Sequence, residues 1–296
     1  MTPEAYCEEK TRASGSSFYY AFVFLSPLKK RAMMALYAFC REVDDVADEI
    51  KDKDIAMKQI AFWQQEITAA FQGKAQHPVT QELMWSCQHF QFSEELFHEI
   101  LDGMIMDISG KVIVKPSDLH LYCYRVAGVV GLLSIEVFGY QQRKSRDFAT
   151  TLGEAMQLTN ILRDVPEDVR INRIYLPQAV RAEYRVTDQD IKSGNMTPQL
   201  HALLKHYADQ SEQLFMKAIE TLPDEDRASL RPSIIMASIY YTHLQRLKKH
   251  HFDVWQHPVR LLPLHKLWIA WRCWRYEKKA ERMGATGHSL PVRLLF

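Results

Sequence analysis

The chain has 296 residues, 47% of them hydrophobic and 25% charged, and a formal net charge of +1. A chain of this length and balance buries a sizeable globular core and has no global field to attract nucleic acid, so a charged partner must be met by a local patch. Its five cysteines are odd in number and form no CxxC pair, which argues against a disulfide framework or a zinc site and fits a reducing cytosol.

The opening MTPEAYCEEK is acidic and lacks an apolar segment, so no signal peptide is expected. Apolar residues then recur at three- and four-residue spacing in nearly every window, without period-2 alternation, which predicts an all-α protein. Helices are expected over 3–12, 18–25, 27–50, 54–71, 79–90, 94–107, 117–138, 145–165, 198–220, 225–250 and 262–283, punctuated by Gly and Pro. The longest apolar run, residues 126–140, contains Glu136 and three glycines and reads as too short to cross a bilayer. No repeat or low-complexity linker divides the chain, so one domain over 1–296 is expected.

Two helices carry carboxylate stripes. In RAMMALYAFCREVDDVADEI (31–50), Tyr37, Arg41, Asp44, Asp45 and Asp48 fall within roughly a 100° arc. In QLTNILRDVPEDVRINRIYLP (157–177), Gln157, Asn160, Asp164 and Asp168 step by three, four and four, within roughly an 80° arc. Like charges at i,i+4 cost an isolated helix a few tenths of a kcal/mol. A divalent cation removes that cost, and Mg²⁺ takes one or two carboxylates together with phosphate oxygens and water. Two stripes facing each other could hold several Mg²⁺ ions with diphosphate between them. The interleaved Arg163, Arg170 and Arg173 suit phosphate through their planar fork. A solvated acidic face is the ordinary alternative for either stripe alone.

Other features read more plainly. Asp102 and Asp107, five apart on different helix faces, read as surface or capping groups. His250 and His251 read as a surface loop, with no HExxH or second cluster to suggest metal. Residues 243–282 hold ten Lys/Arg against three Asp/Glu, with Trp255, Trp268, Trp271 and Trp274. The basic, aromatic segment near 262–283 reads either as a seat on an anionic membrane surface or as a basic helix whose tryptophans pack on the body. No nucleic-acid recognition motif accompanies it.

FCREVDDVADE and QLTNILRDVPEDVRINRIYLP resemble the two aspartate-rich signatures of the squalene/phytoene synthase family. SSFYYAF (16–22) and YCYRVAGVVGLLSIEVFGY (122–140) extend the resemblance over most of residues 14–180, in the family's order. REVDDVADE, LDGMIMDI and LHKLWIAWRCW are most similar to one branch, the bacterial presqualene diphosphate synthases of squalene and hopanoid pathways.

The resemblance implies an all-α isoprenoid synthase fold around a central cavity. There two farnesyl diphosphates are joined head to head, with Mg²⁺ required and NADPH not expected. By position, Asp44 and Asp48 would be metal ligands on one wall, and Asn160, Asp164 and Asp168 on the other. Arg41 and Arg163 would hold diphosphate. Tyr37, Gln157, Ser14, Ser16 and Ser17 would contact diphosphate or the reacting end, and Tyr124 and Tyr240 would line the cavity. Because the reaction passes through a carbocation, Phe18, Tyr19, Phe22, Phe24, Tyr37, Tyr124, Val126, Leu132 and Leu133 are candidate apolar linings; plain core packing is the alternative for each. One departure bears on geometry: Pro166 stands where the family commonly has Gly, so the second helix should kink or end there.

Squalene, dehydrosqualene, hydroxysqualene and phytoene are the family's other outcomes. A catalytically silent scaffold is the alternative of another class, but such a protein is expected to lose stripe aspartates, and both stripes are intact. The expected location is the cytoplasm, with the inner face of the membrane as the alternative seat, beside downstream pathway enzymes.

Overall fold

The computed structural model describes residues 1–13 and 18–283. In chain order it comprises α1 (Pro3–Ala13), α2 (Phe18–Phe22), α3 (Pro27–Glu49), α4 (Lys53–Phe71), α5 (Pro78–Cys87), α6 (Glu94–Ser109) and α7 (Pro116–Cys123). A π-helical turn (Tyr124–Gly128) leads into α8 (Val129–Phe138), followed by α9 (Ser145–Arg170), α10 (Gln178–Glu183), α11 (Asp188–Ser193) and α12 (Pro198–Thr221). A 3-10 turn (Asp224–Asp226) precedes α13 (Arg231–Lys249) and α14 (Pro263–Arg282). No strand occurs among the described residues, as the periodicity predicts.

The helix starts follow local chemistry. Pro27, Pro78, Pro116, Pro198 and Pro263 each stand in the first turn of a helix, where a missing N–H costs nothing. Asp52 caps α4 by accepting from the Asp54 and Ile55 amides, and Thr197 caps α12 through the Leu200 amide. Gly110 ends α6 in the left-handed region at φ 67°.

α9 is the central element. It packs against α12, α8, α13 and the π turn. Its start is anchored by Asp226, only 1% exposed, which accepts from the Gln141 and Gln142 amides at 2.7 and 2.9 Å and from the Ser145 hydroxyl at 2.6 Å. A carboxylate there also favours the helix dipole. Gly131 and Gly153 let α8 and the π turn lie directly on α9. A Cβ on Gly153 would stand 2.7 Å from the Ala127 carbonyl and the Gly128 nitrogen, and one on Gly131 would stand 2.7 Å from the Ala149 oxygen.

The sequence-based boundaries need correction at several points. α9 does not stop before Pro166; it runs on to Arg170 with the proline inside. Pro166 leaves the Leu162 carbonyl without its usual amide donor, and the buried Val165 and Pro166 hold the helix through that point. α13 begins at Arg231 rather than 225, α2 ends at Phe22 rather than 25, α5 ends at Cys87 rather than 90, and α10 and α11 stand where no helix is expected from the sequence. The apolar stretch also belongs to a longer helical run, Pro116–Phe138, whose length and composition would suffice to cross a bilayer. More than half of its most apolar window is buried inside the protein, which accounts for its composition without a membrane.

Candidate active site

α3 and α9 bring the two stripes to one place. Asp44 and Asp48 from α3, and Gln157, Asn160, Asp164 and Asp168 from α9, line a polar cavity of about 270 Å³. Asp168 therefore stays on the stripe despite Pro166. Beside it lies a more apolar cavity of about 300 Å³, lined by Phe18, Phe22, Met33, Tyr37, Val126, Val130, Leu152, Met156 and Tyr240 among others. Asp44, Val126, Gln157 and Asn160 border both cavities, and Arg41 and Arg163 border the apolar one.

The polar cavity carries more negative charge than its side chains neutralise. Burial pushes the Asp44 carboxyl up to about 7; Arg41 opposes the shift, while Asp48 and Asp107 add to it. Burial, then Asp164 and Asp107, push Asp168 up to about 8. Asp44 keeps 39% of its side-chain surface accessible, but that surface faces the cavity. The Asn160 Oδ1 is buried without a hydrogen-bond partner. Among the described residues no three acidic, histidine or cysteine side chains converge tightly enough to hold an ion by themselves. An all-oxygen donor set that supplies only one or two ligands per ion fits Mg²⁺ completed by phosphate oxygens and water.

Each arginine at the site is engaged with an aspartate. Arg41 pairs with Asp45 and reaches Asp44 at 3.9 Å. Arg163 grips the adjacent Asp164 through Nε at 2.7 Å and Nη2 at 2.5 Å. Arg173 donates to the Asp48 carboxylate and to the Ala47 carbonyl, both at 2.6 Å. Arg173 reaches back because α9 ends in a Schellman turn: Asn172 sits at φ 58°, with the Asn172 amide bonded to the Val169 carbonyl and the Arg173 amide to that of Asp168. Asp45 is also tied to Lys10 of α1 at 2.9 Å, which draws it away from the cavity.

Several residues stand elsewhere than expected. Asp107 is no surface or capping group: it lines the polar cavity and accepts from the Tyr175 hydroxyl at 2.7 Å and the Tyr122 hydroxyl at 3.0 Å. The two rings stack at 4.7 Å, and burial pushes Asp107 up to about 6. The sequence held a signal for this, since Asp107 follows the buried Phe97, Ile100 and Met104 at helical spacing. Asp102 matches the surface reading, paired with Arg125. Tyr124 borders neither cavity; its ring lies against Gly128. Phe24 stacks on Trp274, and Tyr19 lies beside Tyr20 and under Lys30. Leu132 and Leu133 are core residues. Ser14, Ser16 and Ser17 fall outside the described residues.

A further recess, about 440 Å³, opens on the other side of Arg163. It is lined by Arg163, Arg260 and Lys266, with Tyr240, His243, Asp164 and Glu167. His243 is 3% exposed and neither ring nitrogen has a partner. Burial, then Arg163 and Lys266, push it down to about 3. Burial and Arg163 likewise hold Lys266 below its ordinary value. The acidic cavity thus carries a surplus of aspartates over its one lining arginine, Arg173, and the recess sets three cations against Asp164 and Glu167, with the adjacent Arg163 and Asp164 standing between the two. Nothing in the local sequence announced this recess, because its residues come from three separate segments.

Comparison with known proteins agrees with this architecture. The squalene/phytoene synthase family model matches residues 11–268. Presqualene diphosphate synthase from Zymomonas mobilis is 32% identical over 92% of this chain and 94% of its own. The enzyme of that name from Rhodopseudomonas palustris is 33% identical over 90% of this chain and 96% of its own. A dehydrosqualene synthase solved with a ligand superposes with a TM-score of 0.85 at 30% identity, covering 94% of this chain and 97% of that one. The chain belongs to the squalene/phytoene synthase family and is a prenyltransferase built on the family's all-α isoprenoid synthase fold.

Proposed function

We propose that this protein joins two farnesyl diphosphates head to head, giving presqualene diphosphate, diphosphate and a proton, with Mg²⁺ as the required metal, in squalene or hopanoid synthesis. The observation that carries the reading is the shared wall: two aspartate stripes and an apolar, aromatic cavity meet at Asp44, Val126, Gln157 and Asn160. The relatives named presqualene diphosphate synthase, matched over nine-tenths of their length, favour this product.

In this reading the allylic C–O bond of one substrate breaks and its electron pair leaves with the diphosphate. The C2–C3 double bond of the second substrate attacks the resulting cation, and loss of a proton closes a cyclopropane. Asp44, Asp48, Asn160, Asp164 and Asp168 would hold the metal, whose chemistry is Lewis-acid neutralisation of the leaving group. Arg163 would turn from Asp164 toward phosphate oxygens when that carboxylate helps to hold the metal, and Arg41, bordering the apolar cavity beside Asp44, would offer its fork to the same diphosphate. Phe18, Phe22, Tyr37 and Tyr240 would exclude water and face the cation. The cationic recess beyond Arg163 has the charge to receive the second diphosphate.

The test is incubation of purified protein with farnesyl diphosphate, with and without Mg²⁺ and NADPH, followed by mass analysis. Presqualene diphosphate in both Mg²⁺ tubes, whether or not NADPH is present, is the expected result. Squalene formed only with NADPH would move the reading to a full squalene synthase. Unconsumed farnesyl diphosphate in a folded sample would overturn it.

A further inference from the structure

The outer face of α14 exposes an apolar cluster that nothing in the protein covers among the described residues. Leu264 is 80% exposed, Leu267 39%, Trp268 44% and Trp271 45%, and Leu262 just before the helix is 73% exposed. At about 100° per residue these helical positions share one face, which continues into Arg275, Lys278 and Arg282. The opposite face, Ile269, Ala270, Cys273 and Glu277, is buried. A single exposed leucine needs no explanation, but a contiguous patch with two tryptophans marks a contact surface.

The charge around the patch selects the partner. The Arg272 guanidinium lies 4.6 Å from the Trp268 ring centre, and that of Arg275 lies 4.8 Å from Trp271. The two nearby acids are already engaged: Glu277 in a buried pair with Arg227, Glu281 with Arg231 and Lys278. Indoles beside guanidinium groups, next to bare leucines, match the boundary between lipid headgroups and acyl chains. The face also lies close to the apolar cavity. α2 packs against α14 with Lys266 over the Tyr20 ring, and Phe24 just after α2 stacks on Trp274, while Phe18 and Phe22 of the same short helix line the cavity.

We propose that this face of α14 seats the protein on an anionic membrane surface, with Trp268 and Trp271 entering the headgroup boundary and Arg275, Lys278 and Arg282 meeting lipid phosphates. The inference holds whichever prenyl product is formed. It places α2 between the bilayer and the cavity, where a lipid substrate or product would pass.

The test is flotation of the full-length protein with vesicles of phosphatidylcholine alone or with about one third phosphatidylglycerol. The wild type should float with the anionic vesicles only and be released by about 0.5 M salt. Trp268→Ser/Trp271→Ser should lower vesicle affinity at least about tenfold, keep its circular dichroism, and keep turnover of farnesyl diphosphate in detergent. Leu294→Asp/Leu295→Asp, beyond the helix, should float as wild type does. Absence of flotation by the wild type would overturn the proposal, as would undiminished flotation of the tryptophan variant or loss of flotation only in the 294/295 variant. A dimer that dissociates in the tryptophan variant would assign the face to a second copy of the chain instead.

Discussion

Asp107→Asn tests the electrostatics of the acidic cavity without altering its shape. Burial raises the Asp107 carboxyl from its ordinary 3.8 to about 6, against the opposing pull of Arg173 and the bonds from Tyr175 and Tyr122. Between those two values the folded protein holds a proton that the unfolded chain has lost, so folding stability falls as pH rises. The slope is ~1.4 kcal/mol per pH unit, so wild type should lose about 2–3 kcal/mol through this group between pH 4 and 7.5. Asparagine cannot ionise and removes that contribution while leaving one carbonyl to accept from a tyrosine. Urea unfolding of metal-free protein at several pH values reads the difference directly. The variant should gain about 2–3 kcal/mol relative to wild type across the window, whatever fixed offset the lost acceptor imposes. Parallel stability curves for the two proteins would refute the claim that Asp107 is ionised at a cost inside the site.

Three further outcomes are expected. Because Asp44 and Asp168 are pushed up to about 7 and 8, protons compete with metal below those values; calorimetric affinity for Mg²⁺ with inorganic diphosphate should rise from pH 6 to 8.5 with proton release, and a flat profile would contradict this. Asp48→Ala and Asp164→Ala should each cut turnover by about 10³-fold with unchanged circular dichroism; a near-normal rate in either would break the two-wall arrangement. Gly153→Val forces a side chain onto backbone atoms 2.7 Å from its Cβ, so it should cost about 1–3 kcal/mol and lower turnover by spreading α9 from the π turn; an unaltered melting temperature would show that the helices can part freely.

Much of the site was legible because it is written in local periodicity. A step of three, four and four places Gln157, Asn160, Asp164 and Asp168 on one stripe of any straight helix, and the arc from Tyr37 to Asp48 follows in the same way. The sequence by itself also determined the all-α class, the capped and proline-started helices, and the two acidic faces that need a counter-charge. Tertiary structure decided what those faces meet. Only packing carried α9 through Pro166 and kept Asp168 on its stripe, since local propensity argues for a break there. Only the fold brought Asp107 of α6, Tyr122 of α7 and Tyr175 after α9 to one carboxylate, turned Tyr124 away from the cavities, and gathered Arg163, His243, Arg260 and Lys266 into a cationic recess. The physical reason is range: helical periodicity fixes neighbours within a few residues, whereas charge surplus and burial depend on groups distant along the chain that meet only when α3, α6, α9, α13 and α14 pack.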